Sequence, residues 1–434
     1  MSERHLETLA RRWRNGRDQG IASICSAHPW VIEAALRASP SPMPVLIEAT
    51  CNQVNQDGGY TGMTPRSFRS FVVEIADRIS FDTQRLIFGG DHLGPNPWKH
   101  LPADEAMRGA EQMVEAYLEA GFTKIHIDAS MGCRGEPATL GDAIVAERAT
   151  RLVAAAERTA ERKSTRPVYV IGTEVPTPGG ATHAIAELAV TSPEAAIATL
   201  AAHRSAFSSA GIADAFARVI AIVVQPGVEF TQDRVVAYDP TKATRLRNVL
   251  DTEPSIVFEA HSTDYQTPSA LSALVRDGFP ILKVGPGLTF AMREALYGLD
   301  CIMAERDPKH RENSLRAAME QAMLADPAHW RGYSTGPAEA KRLERHYGYS
   351  DRIRYYWPSP RVQKAVSRLL AALGTAPISE TLISQFLPRC YPAVRAGALE
   401  PQPMALVLQS VRLSLDPHLA ATISGNNQET GGDA

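Results

Sequence analysis

Short apolar runs recur through the first two-thirds of the chain, and nearly every one ends in a polar or ionisable residue. They are Ile21–Ser26, Val45–Glu48, Leu86–His92, Ile125–Asp128, Val168–Glu174, Val219–Gln225, Ile256–His261 and Ile281–Gly285. Each has the length of a strand buried on both faces. The intervals carry a helical period. In Ala106–Ala120, Met107, Ala110, Met113, Val114 and Leu118 fall on one stripe, and Gly121 stops it before the next strand. Gly141–Arg162 and Ser192–Ala210 are Ala-rich and amphipathic in the same way. Alternation of strand and helix requires parallel pairing, because parallel strands need a crossover. Eight such units predict an α/β fold, a (β/α)8 TIM barrel spanning residues 1–305 with an N-terminal helix. The alternative is an open doubly wound sheet. Against it, no GxGxxG or GxxxxGK(S/T) follows any strand.

Beyond about residue 290 the strand signals fade. Ala291–Ala304 reads as the helix after the eighth strand. The stretches 312–325, 338–347, 360–373, 378–396 and 402–422 read as helices of an extension, residues 306–421, packed on the barrel. The polar, Gly-rich residues 422–434 predict a disordered tail.

Residues two apart in a strand share a face. Glu48, Thr50 and Asn52 therefore share one parity, as do His126 with Asp128 and Glu259 with His261, while Ile47, Ile125, Ile127 and Phe258 point the other way. Polar side chains at the C-terminal ends of barrel strands depart from the packing rule where barrel enzymes keep their sites. Each buried carboxylate also needs compensation. A purely structural network under the loops explains any one of these residues more easily than all of them.

Bulk properties act mainly by exclusion. The chain has 434 residues, 44% hydrophobic and 21% charged, enough for a large core. A net charge of −3 gives no electrostatic case for nucleic acid or a membrane surface. No apolar run approaches the ~20 residues of a membrane helix, and the charged N-terminal segment has no apolar stretch behind it to make a signal peptide. Five widely spaced cysteines without CxxC predict reduced thiols and a cytoplasmic location. Cys25, Cys51 and Cys133, near the rim loops, read as small buried fillers rather than nucleophiles.

The sharpest local motif is GGDHLGPNPW, Gly89–Trp98. Asp91 and His92 leave the third strand beside glycines that let a ligand approach, and the step can supply one proton-transfer group and one metal ligand. His92, Glu174 and His261, at three strand ends, form a nitrogen and oxygen set suited to Zn²⁺, Mn²⁺ or a similar divalent ion. KVGPGLTF ends the eighth strand. There Gly285 and Gly287 can expose backbone N–H groups before a helix, with Lys283 adding charge, and a plain turn is the competing reading. In SDRIRYYW, Arg352 and Arg354 on alternate positions are candidates for a phosphate, or for an ordinary core-edge pair.

The long motifs IEATCNQVNQDGGYTGMTP, GGDHLGPN, KIHIDASM, YVIGTEVPTPGG, VIAIVVQPGVEF, FEAHSTDYQT, LKVGPGLTF and SDRIRYYWP together resemble the Z-type subunit family of tagatose-bisphosphate aldolase, over about residues 15–415. Gly132 and Gly287 stand where that family's pattern has Ser and Ala. The resemblance implies a barrel similar to class II aldolases, in which an Asp–His step provides a proton donor and a metal ligand. Asp91–His92 matches that step. The resemblance also implies two activities. Some members are chaperone-like accessory subunits of a separate class II aldolase. Others carry out 4-epimerisation of ketohexose 6-phosphates, tagatose 6-phosphate to fructose 6-phosphate. A kinase label has also been attached to the family, but phosphoryl transfer needs a nucleotide cradle, and no P-loop or kinase glycine loop is present.

The expected function is thus a D-tagatose 6-phosphate 4-epimerase with a divalent cation and no nucleotide, acting by retro-aldol cleavage of C3–C4. Asp91 or Glu259, with Asp128 as a further candidate, would move the C4 hydroxyl proton. Asn52, Gln53, Lys283, Gly285, Gly287, Arg352 and Arg354 would orient the sugar and its phosphate, and the loop Gly58–Gly62 would close over them. The expected partners are a phosphorylated ketohexose, a class II aldolase subunit if the accessory role applies, and copies of the same chain. A complete polar rim favours the enzyme over the accessory subunit.

Overall fold

The computed structural model describes residues 3–16, 19–172, 188–334 and 336–423. Eight parallel strands close into a barrel: β1 (Ile21–Cys25), β2 (Val45–Thr50), β3 (Leu86–Leu93), β4 (Lys124–Ile127), β5 (Val168–Ile171), β6 (Val219–Val223), β7 (Val257–Ala260) and β8 (Ile281–Val284). Each of the eight apolar runs overlaps one of these strands. They follow chain order around the barrel, and β1 pairs with β8 through Ile21↔Ile281 to Ile24↔Val284. Almost every strand residue is buried, as two covered faces demand.

The helices that follow the eight strands are α1 (Pro29–Ala38), α2 (Pro65–Arg78), α3 (Ala103–Glu119), α4 (Asp142–Lys163), α5 (Pro193–Ser209), α6 (Pro240–Arg247), α7 (Pro268–Arg276) and α8 (Pro286–Arg306). Several of their starts share one device. Thr64, Ser192, Asp239 and Thr267 each cap a helix whose next residue is proline, and each side chain accepts a backbone N–H of the first turn. An antiparallel pair, Glu229–Phe230 with Val235–Val236, interrupts the loop after β6. Before β1, the helix Leu9–Gly16 seals the lower end: Trp13 is fully buried and its Nε1 donates to Val275 O at 2.6 Å.

Among the described residues, everything after Arg306 is helical or irregular. Helices α9 (Leu315–Ala325), α10 (Ala338–Tyr347), α11 (Pro360–Leu373) and α12 (Pro403–Thr422) follow the expected spans closely. The stretch 378–396 is two short helices, Glu380–Phe386 and Tyr391–Arg395, rather than one. Pro388 removes a donor and pushes Leu387 out of helical conformation, to φ −136°, ψ 52°. Helix α12 returns to the barrel, where Gly20 N donates to Thr422 O at 2.8 Å. Most of the expected tail lies outside the described residues. No helix among the described residues is long and apolar enough to cross a membrane.

Candidate active site

The rim at the strand C-termini opens into a cavity of about 530 Å³, lined among others by Cys25, Asn52, Gln53, Tyr60, Asp91, His92, His261, Asp264, Lys283, Gly285 and Arg354. Beneath it the barrel interior is charged. Glu48 and Lys124 lie in one row across β2, β3 and β4, with Gly89 between them. A Cβ at Gly89 would lie 2.5 Å from Glu48 Oε1, so the missing side chain is what lets the two meet. Lys124 Nζ lies 2.7 Å from Glu48 Oε1 and 2.7 Å from Glu259 Oε2, and all three residues are fully buried. Burial would lower the lysine's pKa, but the two carboxylates raise it above its usual value.

One layer higher, Lys283 Nζ contacts Asp91 Oδ1 and lies 3.7 Å from Glu48 Oε2. Burial alone would raise the pKa of Asp91, but His92, Lys283 and His126 hold it well below the carboxylate range. Around Asp91 stand three imidazoles, with ring centroids 4.9 Å (His92–His126), 4.9 Å (His92–His261) and 5.2 Å (His126–His261) apart. Each has one nitrogen on a carboxylate. His92 Nδ1 donates to Asp128 Oδ2 at 2.8 Å, His126 Nδ1 to Asp91 Oδ1 at 2.8 Å, and His261 Nε2 to Glu259 Oε1 at 3.0 Å. Burial would raise the pKa of Asp128, but its bond to His92, followed by nearby imidazole charge, brings it to about 2. Ser130 Oγ adds a further bond at 2.6 Å.

His92 reaches this cluster by breaking the strand rule. Neighbouring residues should face opposite ways, yet both Asp91 and His92 line the cavity. The β3–β4 register shifts between Gly90 and Leu93, and His92 sits at φ +49°, a left-handed conformation uncommon outside glycine. Of the glycine space expected to admit a ligand, Gly90 faces Leu93 and Tyr117, and Gly94 packs on Asp128 O.

The donor set suits a divalent cation. Ligand atoms of Asp91, His92, His126 and His261 lie within 4.8 Å of one another, and His126 Nε2 is buried without a hydrogen-bond partner. Asp128 on His92 and Glu259 on His261 are carboxylates of the kind that aim an imidazole at a metal, whereas Asp91, on His126, belongs to the donor group itself. His92 and His261 were expected in such a set. His126 was seen only as sharing parity with Asp128. Glu174 lies outside the described residues. Lys124 escaped notice because a lysine opening a strand reads as solvated; its parity with His126 was the available signal.

The remaining candidates separate. Asn52 and Gln53 line the cavity, and Gln53 Oε1 accepts Thr50 N at 2.8 Å. Lys283 lies on the floor against Asp91 rather than at the outer rim. Arg354 lines the cavity, with Nη2 donating to Tyr355 Oη at 3.1 Å. Arg352 does not line it; its guanidinium is stacked 3.7 Å from the Tyr333 ring centroid and 4.6 Å from that of Tyr355, and Nε donates to His329 O at 2.6 Å. The segment Arg352–Tyr356 is a 3₁₀ helix, in which residues two apart point about 120° away from each other. Asp128 and Glu259 lie behind the histidines they hold, outside the cavity lining. Asp264 was not singled out, yet it lines the cavity and its Oδ1 accepts Gly285 N at 2.9 Å and Gly287 N at 2.7 Å. Burial raises its pKa against the pull of those amides. Tyr60, from the glycine loop, covers the cavity with its ring centroid 4.6 Å from that of Tyr355.

Comparison with known proteins agrees with this layout. The model of a family described as D-tagatose-1,6-bisphosphate aldolase subunit GatZ/KbaZ-like matches residues 6–423. A relative from Agrobacterium fabrum (strain C58 / ATCC 33970), named D-tagatose 6-phosphate 4-epimerase, is 54% identical over 424 residues, which is 97% of this chain and 99% of the relative. A solved structure described as a "probable tagatose 6 phosphate kinase" from Sinorhizobium meliloti 1021 is 57% identical with a TM-score of 0.86, covering 93% of this chain and 100% of that one.

Proposed function

Because the chain belongs to the D-tagatose-1,6-bisphosphate aldolase subunit GatZ/KbaZ-like family, we propose that it is an enzyme of that family rather than a passive subunit: a D-tagatose 6-phosphate 4-epimerase giving D-fructose 6-phosphate. The observation that carries this is the cluster of Asp91 with three carboxylate-bonded histidines, of which His92 and His261 line the cavity beside Asp91 and His126 is buried against them. The name of the Agrobacterium relative supports the substrate.

In a 2-ketose 6-phosphate, the C4 hydrogen lies β to the carbonyl and is not acidic. Inversion without a redox cofactor is easiest by opening C3–C4. The C4 hydroxyl proton goes to a base, and the electron pair of the broken bond moves toward the C2 oxygen. The aldehyde turns, the bond reforms on its other face, and the proton returns. Asp91 is the base: of the three carboxylates considered, it alone lines the cavity, and its neighbours keep it ionised. His92, His126 and His261 would hold a divalent cation, which when bound supplies Lewis-acid stabilisation of the developing oxyanion. Asp128 and Glu259 orient His92 and His261, and Lys283 fixes Asp91. Asn52, Gln53 and Arg354 position the sugar, and Tyr60 with Tyr355 keeps the aldehyde fragment from escaping.

The family description favours a second reading, an accessory subunit of a bisphosphate aldolase. One experiment separates the two. The purified chain, supplied with Zn²⁺ or Mn²⁺, is incubated with tagatose 6-phosphate and followed for fructose 6-phosphate. Absence of product with every cation, together with activation of a class II aldolase on mixing, would leave only the accessory role. The kinase description of the Sinorhizobium structure finds no matching nucleotide motif in this sequence.

A further inference from the structure

At the entrance to α8, Gly285 N and Gly287 N point to one spot beside the cavity, at the positive end of a 21-residue helix. Such a corner is built to hold an anion. Here the anion is the chain's own. Asp264 Oδ1 accepts both amides, at 2.9 and 2.7 Å, and the residue is only 2% exposed. Gly287 makes the seat: a Cβ there would lie 2.9 Å from Asp264 Oδ1 and 3.3 Å from Asp264 Cβ.

The seat is held from both sides. Thr263 Oγ1 donates to Lys283 O at 2.5 Å, and Tyr265 Oη donates to Tyr349 O at 2.6 Å. With both neighbours tied down, Asp264 does not swing out cheaply. A phosphoryl group entering this corner would meet a fixed carboxylate in a poorly hydrated space, where like charges repel most strongly. A hydroxyl entering it would find an acceptor.

A 6-phosphorylated ketose carries its charge at the C6 end, which the Asp264 carboxylate would repel, so the C1 end is the one that suits this corner. The family description concerns a 1,6-bisphosphate and the Agrobacterium relative a 6-phosphate, so the two ligands differ by one phosphoryl group, on C1. We propose that Asp264 is a specificity-determining residue that fills the C1-phosphate position. The chain then accepts ketoses whose C1 hydroxyl is free, donating to Asp264, and turns away 1,6-bisphosphates. This rests on the ketose-phosphate reading above.

Calorimetric titration tests it without turnover. Fructose 6-phosphate, fructose 1,6-bisphosphate and inorganic phosphate are titrated into the wild-type chain and into Asp264→Ser and Asp264→Asn. The wild type should bind the monophosphate at least ~10-fold more tightly than the bisphosphate. Asp264→Ser empties the seat and should bind the bisphosphate at least ~10-fold more tightly than wild type, with saturable binding of inorganic phosphate. Asp264→Asn keeps the shape without the charge and should narrow the gap. Equal affinity of the wild type for both sugars overturns the proposal. So does the absence of any gain in variants that still melt cooperatively. Turnover without this ligand order would count against the specificity role alone, and this order without turnover against the epimerase alone.

Discussion

Asp91 bonds to His126 and contacts Lys283 while keeping a place on the cavity wall. Asp128 bonds to His92 from behind. Their substitutions should therefore fail differently. Asp91→Asn should cut turnover by roughly 10²- to 10⁴-fold, and the deficit should remain at saturating cation, as expected for loss of a proton-transfer group. Asp128→Asn should weaken cation affinity by about 10- to 100-fold, with turnover returning at high cation. Rate measured against cation concentration reads both, and identical curves for the two variants would sink the division of roles. Lys124 permits a test of the charged floor. Lys124→Met would leave Glu48 and Glu259 facing each other with only Lys283, 3.7 Å from Glu48 Oε2, as a counter-charge. Breaking a buried pair in this way costs about 3–5 kcal/mol. An unchanged urea midpoint would show that the floor does not depend on the lysine.

At the scale of elements, α12 supports the site from outside the barrel. His418 Nε2 donates to Thr263 O at 3.3 Å, and Thr263 in turn bonds to the backbone of β8 at Lys283. Burial lowers the pKa of His418 to about 4. The unfolded chain, with an ordinary histidine pKa near ~6.5, takes up the proton first. Stability from this group is complete above ~6.5 and is lost as pH falls toward 4, by an amount of order 3 kcal/mol in full. Burial also lowers the pKa of His5, His28 and His346, so His418→Gln should reduce, not abolish, the fall in melting temperature between pH 6.5 and 4; a slope equal to wild type would assign that dependence to the other groups. The elements themselves were largely legible in the sequence, because burial on both faces writes each strand as an apolar run. Parity placed His126 and Glu259 correctly on the inner face. It could not place His92, since a left-handed residue at a register shift leaves no hydrophobic signature. It misled at Arg352, where alternate positions belong to a 3₁₀ turn. Asp264 was hidden for another reason: its partners are backbone amides, which no side-chain pattern records.

For the whole molecule, cation binding should couple to folding, because the three imidazoles come together only in the closed barrel. A cation at a hundredfold its dissociation constant stabilises the native state by about 2.7 kcal/mol if it does not bind the unfolded chain. Chelation should lower the melting temperature, and Zn²⁺ or Mn²⁺ should restore it. Melting curves that superimpose with and without chelator would rule out a resident ion at this centre.

The bond from Gly20 N to Thr422 O fastens the last helix to the entrance of the first strand. That strand is also the one β8 must find to shut the barrel. During synthesis, therefore, the seam can form once β8 has emerged, but its fastening waits for some 140 residues more. Arg354, Tyr355 and Trp357 of the cavity wall are also made after β8, so closing the sheet and completing the pocket are separate events, the second belonging to the extension.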